Sequence, residues 1–329
     1  MIAPGTSVVV TGGAGFIGSH VCEALIMRGA VVRCLDDLST GHRRNVEHLL
    51  AERNFALLEV DIRKPEQVRE ALRGANYVVH LAALGSVPRS ILDPLASHAT
   101  NFTGFLNTLE AARLERVGRL VYASSSSVYG DSKTLPKHED DIGLPLSPYA
   151  VTKAGNEAYG QLYHRLYGFS SIGLRFFNVF GERQDPEGPY AAAIPSFIKS
   201  FLRHAPPKIH GDGMQTRDFT YVANAVDAVL ASLVCPEAYA GRIYNVAYGE
   251  RITQLQLVEL LREELAKLDP AVVEIPVEHV APRDGDVRDS LADMTRARKE
   301  LGFDPKYDLK QGLMQAVPWY VRHWGSVSG

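Results

Sequence analysis

The sequence has few cysteines, no long apolar run and little net charge, and each shortage excludes a class of protein. The three cysteines, Cys22, Cys34 and Cys235, show no metal-ligand spacing, so we expect buried thiols in a reducing cytoplasm. No apolar run reaches the roughly 18 residues that a membrane helix needs, and residues 1–6 lack a signal-peptide core. The net charge of -3 argues against nucleic acid or an anionic membrane surface as the main partner. We therefore expect a cytoplasmic protein with no metal site, no membrane span and no nucleic-acid partner.

Glycine, by contrast, is concentrated in one early stretch, residues 7–20. Residues 8–10 are all valine, which predicts a strand buried on both faces, and residues 20–27 are predicted to form a helix that Gly29 closes. Between the strand and the helix stand Gly12, Gly13, Gly15 and Gly18. Such glycines permit a tight turn and let the backbone approach a pyrophosphate at the positive end of the helix. A purely structural turn is the alternative, but the position between strand and helix favours a dinucleotide site.

An acidic pair, Asp36-Asp37, follows a second short strand over residues 31–35. A carboxylate about 20 residues past the glycines can accept both hydroxyls of the adenosine ribose and would repel a 2′-phosphate, which predicts NAD rather than NADP. A turn aspartate is the alternative. Arg43 and Arg44 lie close enough in sequence to keep NADP open.

Strands and helices alternate through the first half of the chain. Further strands are predicted over residues 55–60, 77–83 and 119–129, and helices over residues 65–72 and 101–114. This alternation predicts a doubly wound parallel sheet, in which ligands bind beyond the carboxyl ends of the strands. The glycine turn, Asp36, Asp61, Ala82, Ala83 and residues 124–127 are all expected at that edge.

A helix with a tyrosine and a lysine one turn apart follows the fifth strand. Ser147 is a suitable N-cap and Pro148 suits the first helical position, so Tyr149 and Lys153 share one face. An adjacent ammonium and a positive nicotinamide would favour the phenolate of Tyr149 and lower its pKa. The pair means little alone, but after a dinucleotide-binding pattern and a serine-rich strand end it predicts an oxidoreductase-type site.

These motifs together resemble one known family. The chain looks like an extended short-chain dehydrogenase/reductase of the nucleotide-sugar epimerase/dehydratase family, and it is most similar to the UDP-hexose 4-epimerases over residues 7 to about 315. The motifs that carry the resemblance are the stretches 11–18, 80–83, 124–130, 149–153, 175–181 and 211–213, with Arg217-Asp218 and Arg283-x-Gly-Asp286.

The resemblance implies a mechanism. Tyr149 would remove the proton of the sugar 4-hydroxyl while a hydride passes from C4 to NAD⁺. Ser125 would share a hydrogen bond with that oxygen, and Lys153 would hold the nicotinamide ribose. The 4-keto sugar would then turn over and take the hydride back on its other face, so that NAD⁺ is regenerated and stays bound.

The resemblance also implies two sets of binding residues and no metal. We expect NAD to contact Gly12, Gly15, Phe16, Ile17, Gly18, Asp36, Asp37, Leu38, Ser39, Gly41, Asp61, Ile62, Leu81, Ala82, Ala83, Asn101, Ser124, Tyr149, Lys153 and Phe176. We expect the UDP-sugar to contact Gly85, Ser86, Ser125, Ser126, Tyr149, Asn178, Arg217, Arg283, Asp286 and Ser290. Asn178, Arg217 and Arg283 would grip the diphosphate, and Asp286 would hold the uridine ribose.

Two departures within the family predict the substrate. Ser126 and Ser127 stand where the 4,6-dehydratases carry an Asp/Glu pair, so dehydration has no evident catalyst. Ser290 stands where epimerases restricted to UDP-glucose and UDP-galactose tend to carry a tyrosine, and the segment 85–90 resembles the branch that favours N-acetylated sugars. We therefore expect interconversion of UDP-N-acetylglucosamine and UDP-N-acetylgalactosamine.

Other functions remain open at this stage. Ser290 could be a solvent-facing loop residue, which would leave a plain UDP-glucose 4-epimerase, and no residue excludes a uronic acid as substrate. Arg217 could serve a structural ion pair, for example with Asp218. A non-catalytic NAD-sensing regulator on the same fold is the least favoured alternative, because the chain keeps Tyr149 and Lys153.

The length of 329 residues predicts a large domain with a smaller lobe. We assign residues 1–178, with returning segments at about 219–249, to a Rossmann NAD-binding domain, and residues 179–218 and 250–329 to an α/β nucleotide-sugar-binding lobe. In that lobe a helix over residues 255–268 is expected to bury Leu257, Leu261, Leu265 and Leu268. The family resemblance implies a homodimer through the helices at 101–114 and 148–167.

Overall fold

Seven parallel strands form the central sheet of the computed structural model, which describes residues 2–187, 191–282 and 288–324. The strands in chain order are β1 (Ser7–Thr11), β2 (Val31–Asp36), β3 (Phe55–Glu59), β4 (Tyr77–His80), β5 (Arg119–Ser125), β6 (Ser171–Phe176), β7 (Val179–Phe180), β8 (Lys208–His210), β9 (Thr216–Arg217), β10 (Thr220–Tyr221), β11 (Ile243–Val246), β12 (Ile252–Thr253) and β13 (Glu278–Val280). The sheet runs in the order β11-β6-β5-β4-β1-β2-β3, and the two-stranded pairs are β10 with β7, β12 with β9 and β13 with β8. This order confirms the predicted doubly wound parallel sheet.

Helices connect the strands and cover the sheet. They are α1 (Phe16–Ile26), α2 (Pro65–Leu72), α3 (Val87–Leu92), α4 (Pro94–His98), α5 (Gly104–Leu114), α6 (Pro148–Tyr167), α7 (Ala193–Leu202), α8 (Val222–Val234), α9 (Gln254–Ala266), α10 (Thr295–Leu301) and α11 (Leu309–Trp324). No helix within the described ranges has both the length and the hydropathy needed to cross a membrane.

The strand order reverses between β1 and β4, and this reversal positions the site. Connections leave β1 toward β2 on one side and enter β4 on the other, so a crevice opens beyond the carboxyl ends of these two strands. Ligands of doubly wound sheets bind at such a switch point. The glycine turn, which follows Thr11 at the end of β1, therefore lies at the mouth of the crevice.

Several predicted boundaries differ from the structure for local reasons. Helix α1 begins at Phe16 rather than at residue 20, because Gly15 has an extended conformation and serves as its N-cap. Strand β4 ends at His80 and β5 ends at Ser125, where a 3₁₀ turn over Ser126–Tyr129 takes over. The helix expected over residues 101–114 starts with a π-helical turn, Ala99–Thr103, that continues α4 into α5.

The leucine stripe of α9 is shorter than predicted. Leu257, Leu261 and Leu265 are buried as expected, but Leu268 is 54% exposed and its assignment to the core is wrong. The helix ends at Ala266, so Leu268 leaves the helical face that its spacing implied.

The described part of the chain has separate hydrophobic clusters for the sheet and for the later elements. The cluster of the later elements includes Phe197, Phe201, Leu257 and Leu313. Segment 219–249 returns to the sheet, since α8 packs in the sheet cluster and β11 pairs with β6. Helix α10, which we assigned to the lobe, also contributes to the sheet cluster. The division into two domains stays a prediction, as do the homodimer and the cellular compartment.

All three cysteines are buried free thiols, as predicted. Cys22 of α1 and Cys34 of β2 lie behind the glycine turn, where a Cβ on Gly13 would come 2.5 Å from the Cys34 sulfur. No group of His, Cys, Asp and Glu within the described ranges has the arrangement of a metal site.

Candidate active site

A cleft of about 420 Å³ opens at the carboxyl edge of the sheet. Most of the residues that we predicted to bind the cofactor line it: Gly12, Gly15, Phe16, Ile17, Gly18, Asp36, Asp37, Ser39, Gly41, Ile62, Leu81, Ala82, Ala83, Ser124, Tyr149, Lys153 and Phe176. Gly85 and Ser125, predicted substrate contacts, line the same cleft. The structure thus brings predicted residues that are up to 164 positions apart in sequence (Gly12 to Phe176) into one continuous surface.

Three predicted cofactor contacts do not line the cleft and have other partners. Leu38 lies in a turn, with its N–H donating to Asp36 Oδ1 at 2.9 Å. Asp61 forms a two-pronged ion pair with Arg63, which lowers the pKa of the Asp61 carboxyl. The Asn101 amide bonds both the N–H and the C=O of Leu84, at 2.7 and 3.1 Å, and so fixes a loop that does line the cleft. Direct contact of these residues with NAD stays a prediction.

Sequence reasoning missed eight residues of the cleft wall. They are mostly small or apolar: Leu35, Thr40, Val60, Leu84, Thr100, Ala123, Val179 and Gln184. Seven of them neighbour a predicted contact in sequence or in the same loop, Val179 as the residue after Asn178, so their position was the available signal. Gln184 lies beyond residue 178, where we placed the end of the cofactor domain, and outside the motifs that carry the resemblance.

The glycine turn has the shape that a bound pyrophosphate requires. A Cβ on Gly12 would lie 2.6 Å from the backbone nitrogen of Ala82, and one on Gly18 would lie 2.1 Å from the carbonyl oxygen of Gly12. No side chain caps the N terminus of α1, so its first N–H groups keep hydrogen-bonding capacity where Phe16, Ile17 and Gly18 line the cleft. The two glycines allow the backbone to pack this closely, and the N–H groups at the start of α1 fit the diphosphate of a dinucleotide.

Asp36 fits the adenosine ribose. Its side chain is buried, and its oxygens accept N–H groups from Ala14 and Leu38 at 2.9 Å each. A carboxylate can accept about four hydrogen bonds, so capacity remains for ribose hydroxyls. Burial raises the pKa of Asp36, while these two N–H groups oppose that rise. Neither Arg43 nor Arg44 lines the cleft, which removes the sequence-based reason for keeping NADP open.

Helix α6, which carries Tyr149 and Lys153, begins as its sequence predicts. The Ser147 hydroxyl accepts the N–H of Ala150 at 3.1 Å, and Pro148 occupies the first turn of α6. The N–H of Tyr149 donates to the Ser90 hydroxyl at 3.1 Å, a support from α3 that sequence reasoning missed. Lys153 is buried, and its Nζ donates to the carbonyl of Ala123 at 2.8 Å. The helix therefore holds Tyr149 and Lys153 against the end of β5.

Burial and one hydrogen bond set the pKa of Tyr149 in the protein alone. Burial raises the pKa of its phenol, and a hydrogen bond from Ser125 opposes that rise. The Lys153 Nζ lies 5.7 Å from the tyrosine ring centre and donates to Ala123, and the predicted lowering of the Tyr149 pKa by Lys153 together with a bound nicotinamide stays a prediction. Burial lowers the pKa of Lys153 to about 8, and Glu157 opposes that shift. In the protein alone, therefore, the phenol is protonated near neutral pH.

A second cavity of about 190 Å³ adjoins the first. Ser126 and Ala150 line it, each next in sequence to a residue of the larger cleft, Ser125 and Tyr149. Its wall also holds the predicted substrate residues Asn178, Arg217 and Ser290, together with Val87, Ser127, Tyr129, Gly130, Lys137, Leu146, Ser147 and Asp289. The cavity therefore extends the site beyond Ser125 and Tyr149.

Two residues beside this cavity have a positive backbone φ angle, which is uncommon for residues other than glycine. Asn178 has φ of 33°, and its amide donates to the carbonyl of Asp218 at 3.0 Å. Ser86 has φ of 127° and caps α3, since its hydroxyl accepts the N–H of Arg89 at 3.2 Å. Ser86 itself lines neither cavity, so its contact with substrate stays a prediction.

Arg217 does not form the structural ion pair with Asp218 that we weighed as an alternative. The buried Asp218 carboxylate accepts N–H groups of Tyr248, Gly249 and Ala292. One Arg217 nitrogen donates to the carbonyl of Thr216 at 2.8 Å and lies 3.2 Å from the carbonyl of Arg288. Predicted contacts Arg283 and Asp286 lie outside the described residues.

Comparison with known proteins places this geometry in a family. The sequence model of the NAD dependent epimerase/dehydratase family matches residues 8–247. The UDP-glucose 4-epimerase of Mycolicibacterium smegmatis is 36% identical over 95% of this chain and 97% of its own, and the UDP-glucuronate 4-epimerase of Thermodesulfobacterium geofontis is 34% identical over 94% and 95%.

A solved structure gives the same result. The UDP-N-acetylglucosamine 4-epimerase from Methanobrevibacter ruminantium, in complex with UDP-N-acetylmuramic acid, superposes with a TM-score of 0.90 at 37% identity, covering 97% of this chain and 99% of that chain. These matches confirm the predicted resemblance and the predicted cofactor. The chain belongs to the NAD-dependent epimerase/dehydratase family, and NAD is its cofactor.

Proposed function

We propose that this protein is a UDP-sugar 4-epimerase that interconverts UDP-N-acetylglucosamine and UDP-N-acetylgalactosamine. One observation carries the choice of sugar: Ser290 is half-buried and lies in the wall of the 190 Å³ cavity beside Ser126 and Ala150. Its N–H donates to the carbonyl of Thr216 at 3.2 Å, which holds the small side chain in that wall. A serine there leaves room for an acetamido group at C2. The relation to a UDP-N-acetylglucosamine 4-epimerase also supports this choice.

The chain's own residues can perform the proton chemistry of epimerisation. Tyr149 would take the proton of the sugar 4-hydroxyl and return it, and Ser125 would hydrogen-bond the same oxygen. The chemistry that NAD supplies when bound is reversible hydride exchange with C4 of the sugar. The ammonium of Lys153 would lie beside Tyr149 and favour its ionised form during this step.

The nucleotide end of the substrate would lie toward Asn178 and Arg217. Both line the cavity, and the planar guanidinium of Arg217 suits a diphosphate oxygen pair. Ser126 and Ser127 line the same cavity with hydroxyl groups and supply no acid/base pair for loss of water across C5 and C6. The proposed reaction is therefore epimerisation without dehydration.

A UDP-uronic acid is the second candidate substrate, because a buried lysine lines the same cavity. Lys137 is 3% exposed, and its Nζ donates to the carbonyl of Ser132. Burial lowers the pKa of Lys137 and the charge of Asp141 opposes that shift, but the two groups form no ion pair within the described ranges. A substrate carboxylate at C6 would supply an ion-pair partner. The relation to a UDP-glucuronate 4-epimerase supports this alternative.

The test is a turnover assay with three sugars. Protein purified without added cofactor is incubated separately with UDP-N-acetylglucosamine, UDP-glucose and UDP-glucuronate, and proton NMR follows the anomeric signals. Fastest formation of the galacto product from the N-acetylated sugar is expected. Faster conversion of UDP-glucose or UDP-glucuronate would reject the proposed preference. No turnover of any of the three sugars, with NAD⁺ supplied, would reject the proposed substrates and leave either another nucleotide sugar or a non-catalytic regulator.

Substitution of the cavity wall sharpens this test. Ser290→Tyr should lower kcat/KM for the N-acetylated sugar at least tenfold, since the ring would occupy the acetamido space, and should leave UDP-glucose turnover within a few-fold. Ser290→Ala is the matched control and should keep both activities. Tyr149→Phe should lower kcat for every sugar by about 10³-fold. Unchanged N-acetylhexosamine turnover in Ser290→Tyr would contradict the role of Ser290.

A further inference from the structure

A buried carboxylate joins the catalytic helix to the strand that carries the catalytic serine. Tyr149, Lys153 and Glu157 are spaced four apart in α6, so they lie along one face of this helix. Glu157 is 4% exposed. The role of Tyr149 and Lys153 follows from the family, but the reason for a buried acid one turn further along does not.

Glu157 is held by two groups from two neighbouring strands. The Ser124 hydroxyl donates to its Oε1 at 2.5 Å. The Arg175 guanidinium donates to Oε1 and Oε2 at 2.8 and 2.7 Å, a two-pronged pair of the kind that fixes orientation as well as distance. Ser124 of β5 and Arg175 of β6 are directly paired in the sheet. Glu157 therefore binds two paired residues of the sheet through their side chains.

This point of the sheet adjoins the catalytic serine. Ser124 precedes Ser125, and Lys153 donates to the carbonyl of Ala123. The helix is thus bonded to β5 at residues 123 and 124, in successive turns, immediately before Ser125. Arg175 is fully buried and also donates to the carbonyl of Glu139 at 2.8 Å, so it is anchored independently of the helix. The spacing between Ser125 and the Tyr149–Lys153 face depends on this carboxylate.

The same carboxylate also acts on the charge of Lys153. Tyr149 and Glu157 on its own helix and His80 of β4 face Lys153, and Arg175 of β6 is paired with Glu157. Burial lowers the pKa of His80 to about 3, so this imidazole is neutral. Glu157 alone among them raises the pKa of Lys153, against the burial that lowers it to about 8. A Glu157 without its charge would also leave Arg175 as an unpaired cation nearby.

We propose that Glu157 is a positioning residue of the catalytic site: it sets the distance between Ser125 and the Tyr149–Lys153 pair, and it keeps Lys153 in its ammonium form. The proposal rests on the proposed epimerase function for its kinetic readout. Because it also concerns the charge of Lys153, a titration of that side chain tests it without substrate.

The experiment compares three variants purified with their bound NAD. Glu157→Gln combined with Arg175→Met removes the buried pair together, because a single substitution would strand one charge and endanger folding. We expect kcat to fall about 10- to 100-fold with KM little changed, and the basic limb of the kcat profile to move to lower pH. Ser124→Ala removes one hydrogen bond and keeps the charge, so kcat should fall while the limb stays in place.

A matched control and a direct titration complete the test. Glu300→Gln removes another largely buried carboxylate, bonded to Arg242 and Tyr244, and should leave kcat and its pH profile unchanged. Carbon NMR of labelled lysine, assigned with a Lys153→Arg variant, should show the Lys153 midpoint about 1 lower on the pH scale in the double variant. An unmoved midpoint or a wild-type kcat in a folded double variant would overturn the proposal. Absence of turnover in the wild type would reject the function instead.

Discussion

Gly18 has no side chain, and the space that a Cβ would take is already filled. The nearest atoms to that position belong to the turn itself: the Gly12 carbonyl oxygen at 2.1 Å, its carbon at 2.8 Å and the Gly13 Cα at 2.8 Å. Backbone atoms cannot rotate away as a flexible side chain can, so any substitution must move the turn. The fingerprint glycine is therefore required by packing within the turn as well as by the approach of the diphosphate.

The first prediction concerns this residue. Gly18→Ala should lower the NAD content of the purified protein at least tenfold while keeping the fold, because the displaced turn no longer presents the N terminus of α1. Bound NAD is measured by chromatography after denaturation, and folding by circular dichroism. Gly85→Ala is the control, since a Cβ at Gly85 meets no atom within 4 Å. Equal NAD content in the two variants would contradict this account.

At the scale of elements, helix ends decide which side chains reach the core. Leu265 is the last buried leucine of α9, at 1% exposure, while Leu268 lies two residues past the helix and is 54% exposed. The two residues are alike in type and three positions apart, so periodicity treats them as one stripe. The termination of the helix separates them.

The second prediction uses these two leucines as a matched pair. Leu265→Ala should lower the free energy of unfolding by about 2–5 kcal/mol, because it removes buried methyl groups and leaves a cavity. Leu268→Ala should change it by less than about 0.5 kcal/mol. Urea denaturation measures both values. A similar loss in the two variants would show that Leu268 packs in solution as the sequence pattern implied.

At the scale of the whole molecule, buried imidazoles make stability depend on pH. Burial lowers the pKa of His80 to about 3 and that of His20 to about 4, both below the ordinary value of 6.5. His80 lies in the sheet, where its Nδ1 is 2.9 Å from the Thr11 hydroxyl. Below pH ~6.5 the unfolded chain binds protons at these residues that the folded chain does not. At these two residues acid therefore favours the unfolded state, whereas burial raises the pKa of Asp218 to about 7 and acts in the opposite direction.

The third prediction follows from this sign. His80 alone should contribute a fall of about 2 kcal/mol in the free energy of unfolding between pH 7.5 and 5. Urea denaturation at both pH values measures it. In a His80→Asn variant, whose amide can still bond Thr11, the fall should be smaller by about that amount. If the free energy of unfolding of this variant fell as steeply as that of the wild type, the pH dependence would come from other groups.

Much of the site could be predicted because its chemistry is local in sequence. The glycine turn, Asp36, and the spacing of Tyr149 and Lys153 each lie within one strand–turn–helix segment, where backbone geometry alone brings the groups together. The alternation of strands and helices then places these segments at one edge of the sheet. Gln184 escaped prediction because it lies outside these segments and reaches the cleft only through the tertiary fold.

The sequence by itself determined the parallel sheet, the glycine turn and the face of α6 that carries Tyr149 and Lys153, because periodicity, glycines and helical spacing act over short stretches. Only the tertiary structure decided that Ser290 lies in the cavity wall, that Leu268 is exposed and that Lys153 bonds the carbonyl of Ala123. It also decided that Glu157 meets Ser124 and Arg175. These outcomes depend on contacts between distant segments, and burial changes their electrostatics in ways that no local pattern encodes.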